Sequence, residues 1–337
     1  MGPPAHLHPR TRPRPPAFHA GSATRIPAPL PRVPDEGDGP TALLADPPPV
    51  TVPTGPWDPA EADAEDRRGA ARRPRLLGLP LWTTGRAHLF AHLRERVDAL
   101  GRRPGRPVEL HSVNAEISIQ VRRDAAYREL LTHNPVNLPD GEWVRRLARL
   151  KHGLPCERIS GSDLVVELCD LAHRERWSVF LLGASEDVSL TAATKLRARF
   201  PGLVLDRYSP PYEARPDVSD GETARILERI RAARPTVLLA FLGSPKQELW
   251  TRAHEQELAA AGVRVVLGAG AGLDFVAGRV RRAPARVSAL GLEWAWRLVC
   301  QPRARLGRAV RRLPAFLVLG LADALAGCIR RARGLQP

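Results

Sequence analysis

Residues Val237–Trp250, VLLAFLGSPKQELW, constrain the fold more than any other stretch. An apolar run ends at Gly243. A polar cluster, Ser244-Pro245-Lys246-Gln247-Glu248, follows, and a helix-like pattern begins behind it. This order predicts a buried parallel strand that delivers polar side chains to its carboxyl end, where open α/β sheets bind ligands. The 51 basic residues include only three lysines, Lys151, Lys195 and Lys246. A chain that writes nearly every positive charge as Arg has a Lys at this strand end. Lys is a compact, flexible point charge, and Arg is a planar fork. Lys246 is therefore a candidate ligand contact. The plainer reading is a solvated lysine in the first turn of a helix.

The same alternation runs along the chain from about Arg75. Strand-like stretches fall at Leu76–Leu81, Val108–Val113, Val136–Leu138, Ser178–Gly183, Leu203–Asp206, Thr236–Leu242 and Val263–Gly268. Helical patterns fall at Ala87–Leu100, Asn114–Leu131, Ser162–Trp177, Asp187–Phe200, Ser219–Ala233, Gln247–Ala261 and Ala285–Cys300. Strands separated by such helices predict a parallel sheet with helices on both faces.

Composition divides the chain. Residues 1–60 hold 17 of the 34 prolines and two aromatics, Phe18 and Trp57. Such a segment cannot offset its ordering entropy by burial, so residues 1–72 read as a disordered Pro/Arg-rich arm. It has no apolar segment of the kind a signal peptide carries. Residues 73–291 then form the catalytic-sized domain, and 292–337 a basic helical appendage. Cys156, Cys169, Cys300 and Cys328 fit neither a zinc site nor a compact disulfide framework, so a reduced cytosolic setting is expected. Formal net charge is +15. That charge suits nucleic acid, an anionic membrane or a phosphate-rich substrate. Nucleic acid is disfavoured, because no binding motif is present and 5% aromatic content is thin for base stacking.

Three strand ends carry candidate chemistry. In Leu138-Pro139-Asp140-Gly141, Asp140 is a turn residue or a general base on a hydroxyl. In His111-Ser112-Val113-Asn114, Ser112 and Asn114 share a strand face and can point into one crevice, or Asn114 caps the next helix. Gly268-Ala269-Gly270-Ala271-Gly272 lets backbone N–H groups approach a phosphate, but it lacks a Walker lysine and a dinucleotide fingerprint. Asp274 follows it. Gly278–Pro284, with Arg281 and Arg282, is a basic loop suited to a diphosphate or to solvent. No Asp-x-Asp is present to hold a divalent ion, so neither metal nor cofactor is expected. The apolar run Leu313–Ile329 contains Asp323 and is flanked by arginines. It is marginal for spanning a bilayer and suits an interfacial helix on an anionic leaflet; the alternative is a helix docked on the protein's own core.

In order, the segments SVN, LPDG, SGSDL, SVFLLGA, FLGSPKQELW, GAGAGLDFVAGRVRRAP and GLEWAWRLVCQPRAR resemble the WecG/TagA/CpsF glycosyltransferases over about residues 74–312. The resemblance implies a Rossmann-like fold and inverting, metal-independent transfer of an N-acetylmannosamine-type sugar. The donor would be a UDP-sugar and the acceptor polyprenyl-diphosphate-linked, at the cytoplasmic face of the membrane. The product would serve cell-surface polysaccharide or teichoic-acid-type synthesis. It makes Asp140 the base, with Ser112 (where the family usually has Thr) and Asn114 beside it. Gly243, Pro245, Lys246, Gln247 and Glu248 match the nucleotide-sugar loop. Arg297 matches a tail arginine that closes over the diphosphate, and Arg303 or Arg305 matches another. Several features depart from the family: Tyr208-Ser-Pro-Pro-Tyr212 replaces an HGYF-like stretch, the proline-rich arm is extra, Glu142 is unusual after Asp140-Gly141, and QPRAR stands where the family usually has an EPxR-type segment. The expected partners are donor, acceptor and anionic membrane; a homo-oligomer stays open. The competing reading is a non-catalytic nucleotide-sugar or nucleic-acid binding module, against which the retained Asp140 and Ser112 argue.

Overall fold

The computed structural model describes residues 59–103, 105–134, 136–211, 220–300 and 302–334; the side chains of 59–63, 220, 285, 289, 297, 300 and 302–311 lie outside that description. Helix α1 (Pro59–Ala71) precedes a short hairpin, β1 (Arg75–Leu76) and β2 (Leu79–Pro80). Then come α2 (Arg86–Arg102), β3 (Val108–Val113), α3 (Ala115–Gln120), α4 (Ala125–His133) and β4 (Asn137–Pro139). Helices α5 (Glu142–His152) and α6 (Gly161–Glu175) lead to β5 (Val179–Gly183), α7 (Glu186–Arg199), β6 (Leu205–Tyr208) and α8 (Asp220–Ala233). The order closes with β7 (Val237–Phe241), α9 (Lys246–Ala253), α10 (Glu255–Ala260), β8 (Val265–Gly268), α11 (Gly272–Ala277), α12 (Ala285–Ala289), α13 (Glu293–Cys300) and α14 (Pro302–Ala332).

Strands β3 to β8 form one sheet in the order β4-β3-β8-β7-β5-β6. Every pairing in it is parallel. Successive residues of β5, β7 and β8 alternate between two apolar layers. Val179, Leu181, Val237, Leu239, Val265 and Leu267 pack toward α2, α6, α7 and α11. Phe180, Leu182, Leu238 and Val266 pack toward α8, α9 and α10. Burial on both faces is why these strands read as continuous apolar runs. Each such side chain contributes about 1.5–3 kcal/mol when fully buried. The expected α/β sheet with helices on both faces is present.

Several boundaries differ from the sequence reading. The helix expected over Asn114–Leu131 is two helices, because Asp124 Oδ1 accepts from Tyr127 N at 2.9 Å and starts α4 anew. The helix expected over Gln247–Ala261 breaks at His254. Helix α5 was not anticipated, although Val144, Leu147, Ala148 and Lys151 are its buried face at helical spacing.

The arm expected over 1–72 ends in α1, and residues 1–58 lie outside the described residues. Helix α1 docks at the amino edge of the sheet. Arg106, 6% exposed, donates from Nη1 to Asp66 Oδ2 at 2.9 Å and from Nε to Glu255 Oε2 at 2.7 Å. Arg252 Nη2 donates to the buried Glu109 at 2.8 Å. Burial pushes the Glu109 carboxyl up, but Arg252 and His111 more than offset this and hold it at about 2. Composition alone could not show that Asp66 would find a buried arginine. Deleting residues 1–58 is expected to leave the melting temperature almost unchanged. Deleting 1–72 removes a charged partner of Arg106 and should cost about 1.5–3 kcal/mol, or roughly 3–12 °C. Thermal unfolding of the two truncations checks this; equal melting temperatures would show that α1 contributes nothing.

At the other end the appendage folds back along α5 and α3. Phe316 and Ala324 are buried in a satellite core with Val144, Leu147 and Ile117. Lys151 Nζ donates to both carboxylate oxygens of Asp323 at 2.8 Å, and Leu77 N donates to Oδ2 at 2.7 Å. Arg331 Nη1 donates to the carbonyls of Leu150 at 3.2 Å and Lys151 at 2.6 Å, closing the end of α5. The opposite face of α14 is apolar and exposed: Val318, Leu321, Leu325 and Ile329. Both tail readings therefore meet in one helix, docked on one side and bare on the other. By length and composition Arg312–Ala332 is also sufficient to cross a membrane, a test that core helices of soluble proteins pass as well.

Candidate active site

Strands β3 and β4 end side by side, with Ser112 opposite Leu138 and Val113 opposite Pro139. Asn114 and Asp140 therefore leave the sheet together. Asp140 N donates to Val113 O at 3.0 Å, which fixes the backbone of the carboxylate. Gly141 at φ +112° then turns the chain into α5, a conformation open to glycine. Asn114 Oδ1 accepts from Ile117 N at 3.0 Å, so Asn114 caps α3. It lines a cleft with Asp140 as well.

Ser112 is buried, and its Oγ has no hydrogen-bond partner among the described residues. It lies under Gly161 at the start of α6, where any Cβ would overlap the hydroxyl. Asn114 reaches the cleft; Ser112 sits beneath the start of α6 and is not among the cleft's lining residues.

The loop after β7 contains Gly243 and a cis Ser244–Pro245 peptide. Lys246, half-buried, opens α9. Gln247 and Glu248, both matched above to the nucleotide-sugar loop, are buried and bonded internally. Gln247 Oε1 accepts from Gly243 N at 3.1 Å and from Gly270 N at 3.2 Å, so one side chain ties the β7 loop to the β8 loop. Its Nε2 donates to Glu248 Oε1 at 2.8 Å, and Ser244 Oγ donates to the same oxygen at 2.6 Å. Gly268 makes room for this pair: a Cβ there would stand 2.7 Å from Gln247 Nε2. Burial and the nearby Glu248 charge push the Tyr127 hydroxyl up, so it stays protonated. Gln247 and Glu248 shape the loop that Gly243, Pro245 and Lys246 present.

Asp140 lies in a cleft of about 160 Å³ between α3, α5 and the appendage, walled by Trp143, Trp294 and Leu313. A second compartment joins it through Glu142, Ser288 and Glu293, and there Arg158 and Arg282 line the wall. Arg282 donates to Ser162 Oγ at 3.2 Å and Ser162 O at 3.1 Å, pairs with Asp163, and lies 4.6 Å over the Phe275 ring. Arg158 Nη1 pairs with Glu293 Oε2 at 2.9 Å. Arg145 and Arg146 hold the Glu142 carboxyl below the usual carboxylate range. Arg158 and both tryptophans escaped sequence reasoning. The available signal was position: Arg158 precedes the Ser160–Asp163 turn, and Trp143 follows Asp140 by three residues.

The remaining candidates are spread around this edge. Asp274 is in the first turn of α11. The Arg281 side chain is exposed, and its carbonyl accepts from Trp296 Nε1 at 3.2 Å, tying the basic loop to α13. Arg297 is on α13, and Arg303 and Arg305 are at the start of α14; their side chains lie outside the described residues.

The chain is similar to known proteins. The model of the glycosyl transferase WecG/TagA/CpsF family matches residues 74–328. A Bacillus subtilis (strain 168) N-acetylglucosaminyldiphosphoundecaprenol N-acetyl-beta-D-mannosaminyltransferase is 31% identical over 193 residues, covering 57% of this chain and 72% of the relative. A Staphylococcus aureus (strain MRSA252) protein of the same name is 30% identical over 207 residues, covering 61% of this chain and 76% of the relative. With a match across most of its length and the motif-bearing strand ends assembled on one sheet edge, the chain belongs to the WecG/TagA/CpsF family of glycosyltransferases.

Proposed function

We propose that this enzyme transfers an N-acetylmannosamine-type sugar from a UDP-sugar to a polyprenyl-diphosphate-linked acceptor. It would act as a peripheral protein on the inner face of the cell membrane, in cell-surface polysaccharide or teichoic-acid-type synthesis. The observation that carries the reading is the divided cleft. Asp140 lies between an arginine-lined compartment and the start of a helix whose outer face is apolar. The names of the relatives support the sugar and the acceptor.

In this reading Asp140 takes the proton from an acceptor hydroxyl. The hydroxyl oxygen attacks the anomeric carbon from the face opposite the diphosphate. The bond from that carbon to the diphosphate oxygen breaks, and the leaving group departs with the electron pair. A single displacement inverts the anomeric centre. Arg158 and Arg282 meet the charge that develops on the leaving oxygens. The exposed stripe of α14, with Arg330 and Arg333 beyond it, suits an anionic leaflet, where each basic residue adds about 1 kcal/mol.

The test is transfer by the full-length protein from labelled UDP-N-acetylmannosamine to a prenyl-diphosphate-linked N-acetylglucosamine. The expected product is a lipid-linked disaccharide of inverted configuration, formed equally well in EDTA, since side chains carry the diphosphate charge. Binding of UDP without turnover would favour the non-catalytic module. Activity lost in chelator and restored by Mg²⁺ or Mn²⁺ would overturn the metal-independent mechanism.

A further inference from the structure

The cleft that holds Asp140 ends at the first turn of the bare part of α14, and among the described residues Arg312 is the cation that lines that end. Its neighbours in the wall include the carboxylates Glu116, Glu142 and Glu293. Two of these are answered elsewhere: Glu142 by Arg145 and Arg146, Glu293 by Arg158. Arg312 Nη1 donates to Glu116 Oε1 and Gln120 Oε1, each at 3.0 Å. Those bonds fix the plane of the guanidinium, and its Nη2 and Nε make no hydrogen bond among the described residues. A pre-oriented guanidinium with donors to spare is the group that reads phosphate oxygens best. Arg312 also marks a boundary. On one side of it is the polar cleft; on the other begins the apolar stripe of Val318, Leu321, Leu325 and Ile329.

A lipid-linked sugar has the same three zones in the same order: a hydroxylated head, a diphosphate and an apolar chain. We infer that Arg312 is the anchor for the acceptor's diphosphate, distinct from the Arg158–Arg282 compartment on the donor side. The acceptor sugar then occupies the cleft between Trp143 and Trp294, with its hydroxyl at Asp140 and its lipid leaving along α14. This rests on the proposed function above and assigns the acceptor's place within it.

The experiment compares two soluble acceptors with the full-length enzyme: N-acetylglucosamine on a short prenyl diphosphate, and the same sugar as a neutral alkyl glycoside. The wild type should favour the diphosphate acceptor. Arg312→Ala should raise KM for that acceptor about tenfold or more. It should leave KM for the UDP-sugar and for the neutral glycoside unchanged. Glu116→Gln is the control for a purely structural role. It removes the ion pair that joins α14 to α3, yet it should keep the preference for the diphosphate acceptor. If Glu116→Gln reproduces the Arg312→Ala defect, Arg312 merely holds the helix and the proposal fails. Unchanged kinetics in Arg312→Ala, with reduced sedimentation on phosphatidylglycerol vesicles, would assign the residue to bulk lipid and overturn it. No transfer by the wild type to either acceptor would overturn the functional reading itself, and this assignment with it.

Discussion

Asp140→Asn is expected to lower sugar transfer by about 10²–10⁴-fold, the usual worth of a positioned general base. The amide is nearly isosteric with the carboxylate but cannot take a proton. The backbone of residue 140 is held through its N–H to Val113 O at 3.0 Å, a bond the variant keeps. Melting temperature and donor affinity should therefore match the wild type. The measurement is initial rate with labelled donor, beside thermal unfolding and UDP titration of the same preparations. Retention of more than about a tenth of wild-type turnover would make Asp140 a turn residue and move the base elsewhere.

The position of Asp140 was legible in the sequence because strand ends are legible. Val179–Gly183 and Val237–Phe241 are buried throughout, and continuous burial writes a continuous apolar run; Val108–Val113 is buried as well but carries Glu109, His111 and Ser112 inside. What a polar residue does after such a run was less legible. Gln247 and Glu248 stand where ligand contacts belong, yet their partners are Gly243, Gly270 and Ser244. Sequence shows that a side chain can donate and accept; it does not show whether a backbone group 23 residues away claims it first. Helix α5 is hard to read in the sequence because its three arginines mask a short apolar face. Asp323 looked like a flaw in an apolar run, and its partner is 172 residues distant.

That partner supplies the second large effect. Asp323→Ala is expected to destabilise the protein by about 2–4 kcal/mol. It leaves Lys151, whose side chain is 6% exposed, without a counter-ion, and Leu77 N without an acceptor. The value sits at the lower end for a buried pair because the Asp323 side chain keeps 24% of its exposure. Melting temperature should fall on the order of 10 °C. The double variant Lys151→Met, Asp323→Leu should recover most of the loss, since an apolar pair of similar volume replaces a buried ion pair with little penalty. An Asp323→Ala protein that melts with the wild type would show that the pair contributes nothing and that apolar packing alone docks α14.

The attachment of α14 along α5 has a geometric consequence. Phe316, Ala324 and the Asp323 pair fix the helix near its middle, and Arg331 fixes its end. The apolar stripe and the Asp140 carboxylate thus belong to one rigid body. On a bilayer, such a body holds Asp140 at a constant height above the acyl chains, as a ruler holds its mark. In the proposed function, an acceptor whose outermost hydroxyl lies at that height would react. One lengthened by a further sugar carries its terminal hydroxyl past the mark. The addition of a single residue would then be counted by distance from the lipid, with no need to recognise the finished product.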